Sequence, residues 1–120
     1  MNWAALIAVA LAIWGWFASV DITVETDAPY EHSTWLASSL LYWDGHCVIR
    51  VWPEEWSPTT VPQDIITHEV GHCLGLDHIE HEGIMSASGN YPFSGYDRAE
   101  FWHIYPAPYR TTLTNLGADH

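Results

Sequence analysis

Residues 3 to 20, WAALIAVALAIWGWFASV, form an uninterrupted run without a charge, and beyond it the chain changes to short alternating patterns. Eighteen residues in a helix span about 27 Å, close to the hydrocarbon thickness of a bilayer. Residues 21 to 26, DITVET, alternate polar and β-branched positions and read as a strand, ended by Asp27-Ala28-Pro29. Residues 30 to 38 fit a short helix or a loop. Two apolar runs, 40 to 43 and 46 to 52, flank Asp44-Gly45, which is the signature of a tight hairpin. Residues 53 to 62, PEEWSPTTVP, are a proline-punctuated loop. Thr60 with Gln63 three residues later makes a capping box, and Pro62 suits a first helical turn. A helix is therefore predicted over 61 to 74, with Ile65, Ile66, Val70 and Leu74 on its buried side. Residues 86 to 95 are a loop by composition. Asp97, with Glu100 following, opens a last helix that Pro106 stops. The pattern is α+β: an apolar N-terminal helix, a small twisted sheet packed on a central helix, and a C-terminal helix.

Length allows one domain, over residues 21 to 105, preceded by the apolar segment 1 to 20 and followed by a loose tail, 106 to 120. Eight Trp, six Tyr and three Phe give so small a domain a large apolar area to bury. The formal charge is −12, lysine is absent, and only Arg50, Arg98 and Arg110 are basic. This excludes nucleic acid as a partner and disfavours anionic membrane surfaces. Such acidity either favours basic over acidic substrates or merely keeps the domain soluble and reflects source composition or a saline habitat, and the second reading is preferred. A monomer is expected.

The apolar segment has three readings: a membrane anchor, a signal peptide, or a buried helix of the fold. No basic residue precedes it, and its small-residue pairs make poor cleavage sites, which favours the anchor. Trp14 and Trp16 would then lie at the lipid–water interface. Both leading readings place the rest of the chain outside the cytoplasm. In an exported chain the pair Cys47 and Cys73 suggests a disulfide fastening the central helix to the sheet; two buried thiols are the alternative.

Residues 68 to 78, HEVGHCLGLDH, carry the chemistry. His68 and His72, four apart on a helix, lie on one face and can share a cation. Glu69 can reach a water held on that cation. Gly75 can take the left-handed conformation that ends a helix and turns the chain, so that His78 supplies a third imidazole. Three histidines with one position left open describe a catalytic zinc site, whereas structural sites are closed by four protein ligands. His81 does not fit this spacing, and Asp77 is a weak candidate to orient a ligand histidine.

The segment resembles the metzincin zinc endopeptidases, and within them most closely the matrixin branch (the matrix metalloproteinases). Gly83-Ile84-Met85-Ser86 suits the methionine turn that this family places beneath its metal, with Met85 as a hydrophobic floor. The match covers residues 68 to 86; elsewhere it is an outline only. The resemblance implies a minimal zincin-like fold and a peptidase that uses one Zn2+, held by His68, His72 and His78, with Glu69 as general base. It also implies a sheet edge that pairs with an extended peptide or protein substrate. Leu40, Leu41, Tyr42 and Trp43 are the candidates for that edge, and Tyr91 for a pocket wall. The chain departs from the family in having Ser86-Ala87-Ser88 after the methionine, which puts pocket depth and side-chain preference in question. It also lacks the Asp-, Gly- and His-rich stretch that binds calcium and a second zinc. A second reading is a membrane-tethered zinc-binding module without turnover, against which the presence of Glu69 speaks.

Overall fold

Asn2 opens the first helix, α1 (Trp3–Trp14), by accepting a hydrogen bond from the Ala5 amide at 3.1 Å. This is ordinary N-capping by a short polar side chain. Gly15, at φ +80°, ends it after 12 residues. The guanidinium of Arg98 donates to the carbonyl oxygens of Ile13 and Trp14, where a cation suits the helix dipole. The helix is thus shorter than the uncharged run, and among the described residues no helix is long and apolar enough to cross a membrane. Trp14 and Trp16 do not stand at an outer rim as the anchor reading expects. Their relative exposures are 0% and 3%, and both pack in the core against Phe101. The early stop at Gly15 turns the chain and folds these rings inward.

The computed structural model describes residues 1–30, 35–88 and 91–105, together with the backbone of 118–119. Strand β1 (Asp21–Glu25) runs parallel to β3 (His46–Val51), with Asp21 opposite His46 and Glu25 opposite Arg50. Strand β2 (Ala37–Leu41) pairs antiparallel with β3 on its other side, Ala37 opposite Val51 and Leu41 opposite Cys47. The hairpin is where the sequence predicts it, but its loop is longer than Asp44-Gly45. The Tyr42 carbonyl accepts from the Gly45 amide, and among residues 42 to 45 only Gly45 has positive φ, +87°. That is a turn followed by one left-handed residue, not the two-residue turn, which needs positive φ at its first central residue, here Asp44. Tyr42 and Trp43 consequently lie in the loop and not in the strand.

The central helix is α2 (Pro62–Cys73), close to the predicted span. The expected capping box does not form. Val61 is the N-cap and makes no side-chain cap bond. Thr60 Oγ1 instead accepts from the Ser57 amide, and the Gln63 amide donates to the Leu6 carbonyl of α1. Docking onto α1 has taken the side chain that the local signal assigned to capping. The Trp14 indole donates to the Thr67 carbonyl at 2.9 Å, a second tie between these helices. Cys47 and Cys73 form a disulfide that joins α2 to β3. The last helix, α3 (Gly95–Ile104), starts two residues before the predicted Asp97, because Ser94 is the N-cap and Asp97 completes the capping box. Tyr105 follows it and donates its hydroxyl to the Leu74 carbonyl at 2.5 Å.

Most of the expected loose tail lies outside the described residues, as do His32, Arg110 and His120. Its strand β4 (Ala118–Asp119) pairs antiparallel with β2, opposite Leu40 and Ser39. The sheet order is therefore β1-β3-β2-β4.

Candidate metal centre

The end of α2 is built by backbone hydrogen bonds. The Leu76 amide donates to Gly71 and the Gly75 amide to His72, with Gly75 at φ +94°. This is the Schellman arrangement, and it needs a residue that tolerates the left-handed region. It reverses the chain so that residue 78 returns toward the face of α2 carrying His68 and His72. One ligand atom from each of His68, His72 and His78 then lies within 4.8 Å of the other two. The three rings pack with centroids 4.8 to 5.2 Å apart.

The two helical imidazoles are oriented by carbonyl groups. His68 Nδ1 lies 2.5 Å from the Ile84 carbonyl oxygen, and His72 Nδ1 lies 2.6 Å from that of Leu76. A carbonyl oxygen only accepts, so each Nδ1 carries the proton and each Nε2 presents a lone pair. This is the tautomer a metal ligand requires, with the supporting bond on the other ring nitrogen. The donor set fits one metal ion. Moving each nitrogen to about 2 Å from a common centre takes ring shifts of about 1 Å or less. Asp77, considered above for this orienting role, is exposed.

Met85 is fully buried against Gly71, the residue before His72 on α2. A Cβ on Gly71 would come within 2.4 Å of the Met85 sulfur and 2.8 Å of the Trp14 ring. Glycine is therefore required at this position of α2 by close approach. The turn bearing Met85 is fixed from α3. The buried carboxylate of Asp97 accepts from the amides of Ile84 at 2.8 Å, Met85 at 2.9 Å and Ser94 at 2.7 Å. The peptide unit between Ile84 and Met85 thus meets Asp97 through its N–H and His68 through its carbonyl.

Glu69 is 4% exposed, and its Oε2 lies 4.0 Å from His68 Nε2. Its Oε1 accepts a 2.7 Å hydrogen bond from the Ser39 hydroxyl on β2. One carboxylate oxygen is thus tethered and the other stands beside the histidine cluster. A cavity of about 130 Å³ opens there, lined by His68, Glu69 and His78 together with Asp64, Ile65 and the start of β2 at Ala37.

The other expected site residues are distributed differently. None of Leu40, Leu41, Tyr42, Trp43 and Tyr91 lines that cavity. Leu41 is buried, while Trp43 is 91% and Tyr91 38% exposed. The outer edge of β2 is paired with β4 at Ser39 and Leu40. Three residues of the centre were not anticipated as such from sequence: Ser39, Gly71 and Asp97. Ser39 directly precedes the apolar run 40 to 43, and no local signal marks it out. Asp97 was legible only as a helix start. No family model matches the chain, and a search of curated proteins finds none similar to it.

Proposed function

We propose that the chain is a zinc-dependent endopeptidase with a minimal metzincin-like catalytic domain, and that His68, His72 and His78 hold its one metal ion. The observation that carries this reading is the placement of Glu69: a buried carboxylate, one oxygen tethered by Ser39, the other 4.0 Å from His68 Nε2. When bound, zinc supplies a Lewis acid and acidifies a water molecule. Glu69 takes the proton of the attacking water through Oε2, the oxygen beside the histidine cluster, and later delivers it to the leaving amine. Ser39 keeps the carboxylate aimed through both transfers. Met85 supplies an apolar floor and donates no ligand. The likeness of residues 68 to 86 to the matrixin motif adds the substrate class, a peptide or protein in extended form.

The Cys47–Cys73 disulfide fits an oxidising compartment, and so an extracytoplasmic location. The second reading, a zinc-binding module without turnover, draws on β4, which occupies the outer edge of β2. Binding alone, however, does not need a carboxylate held by a buried hydroxyl next to the ligands. The two readings separate in an assay of denatured casein or quenched peptides, with zinc and with a chelator. Turnover that the chelator abolishes, and that serine and cysteine reagents leave intact, supports the peptidase. Full zinc occupancy with no turnover supports the module.

A further inference from the structure

Asp64 lies one helical turn before His68 on α2, so the two side chains share a face. Both line the cavity beside the histidine cluster. Asp64 also lines a second cavity of about 480 Å³, which carries Glu55 and the hydroxyl residues Ser57, Thr59 and Thr60. The two cavities share Leu36, Asp64, Ile65 and Ser88, and so make one groove leading away from the cluster. Asp64 stands at their junction.

The Asp64 carboxylate makes no hydrogen bond or ion pair with a described residue. A carboxylate in the first turn of a helix is favoured by the dipole alone. That role needs neither a groove beside it nor Glu55 farther along. Nor does either described arginine supply a cation to the groove. Lysine is absent. Arg50 pairs with Glu25 at 3.3 Å, and Arg98 is bound to the end of α1. The inner cavity also has apolar walls from Leu36, Ile65 and Ile84. Long basic side chains lay their methylene stems on such surface and keep the charged head at a carboxylate. The formal charge of −12 adds long-range attraction for a basic peptide.

Building on the peptidase reading above, we propose that this groove takes an arginine or lysine side chain of the peptide substrate, adjacent to the bond that is cut, and that Asp64 is the residue selecting it. The test uses the zinc-loaded full chain and quenched peptides that differ only in carrying Arg, Leu or Glu at the positions flanking the cleaved bond. The expected result is a kcat/KM for the Arg peptide about 3- to 10-fold above that for Leu. This range lies between an exposed ion pair and a buried charge-assisted hydrogen bond. Glu should be slowest. Asp64→Asn should bring the Arg-to-Leu ratio toward one, and Asp64→Arg should raise turnover of the Glu peptide relative to Arg. Melting curves and zinc content show whether each variant is folded. If neither is, the ranking on the unaltered chain decides by itself. A preference for Leu, or a ratio that a folded Asp64→Asn leaves unmoved, overturns the proposal while leaving the peptidase reading intact. Failure of the zinc-loaded chain to cut any peptide overturns both.

Discussion

The hydroxyl of Ser39 lies 2.7 Å from Oε1 of Glu69, across the contact between β2 and α2. Their relative exposures are 1% and 4%, so bulk water does not compete for this bond. A hydroxyl donor to a buried carboxylate is a strong contact and a costly one to leave unmade. It joins the sheet to the proposed base of the reaction, thirty residues apart in sequence.

Glu69→Gln should retain zinc and lose turnover by about 10²- to 10⁴-fold, the usual contribution of a positioned general base. Ser39→Ala should retain both zinc and the base but lose about 10-fold in kcat, with KM little changed, because the carboxylate is no longer aimed. Steady-state kinetics alongside zinc content check both. Equal activity in Glu69→Gln excludes its role as base.

Asp97→Ala should be among the most damaging single changes. It removes the acceptor for the amides of Ile84, Met85 and Ser94 at once. Leaving the buried amides of Ile84 and Met85 unpaired costs about 1–3 kcal/mol each. Because the Ile84 carbonyl also orients His68, zinc affinity should fall together with thermal stability. Denaturant unfolding and competition with a chelating dye measure the two effects.

The disulfide closes a separation of 26 residues. The chain-entropy relation gives about 3.5 kcal/mol for such a loop. The double variant Cys47→Ala/Cys73→Ala should lose about this much in denaturant unfolding. Its zinc site should persist where the protein is still folded, since neither sulfur is a ligand.

Residues 118–119 pair with β2 at Leu40 and Ser39, the edge to which an extended peptide would add. Deleting residues 118 to 120 should lower KM for peptide substrates by exposing that edge. The kcat should change little, because β4 pairs with β2 and carries none of the proposed ligands or the proposed base. An unchanged KM would show that the substrate lies elsewhere.

The legible features were the local ones. The spacing of His68, Glu69, His72, Gly75 and His78 is decided within one helix and its reversal, and the hairpin is decided by its own turn. The pairing of Cys47 with Cys73 is suggested by export and an even cysteine count, with two buried thiols as the alternative, and the fold joins them. What escaped the sequence was set by distant partners. Gln63 carries a capping signal, but the structure uses it to hold α1. The parallel pairing of β1 with β3 leaves no mark in either strand. Ser39 and Asp97 gain their roles only when β2 and α3 close on α2. The apolar run at residues 3 to 20 has the composition of a span. Its break at Gly15, and the core contacts of Trp14, are settled by packing on α2.

Anomalous diffraction at the zinc edge, from crystals grown with one equivalent of zinc, tests the centre most directly. The account predicts a single peak about 2.0–2.1 Å from nitrogens of His68, His72 and His78, with Glu69 close by but not bonded. A peak away from these rings, or one that His78 does not reach, would contradict it.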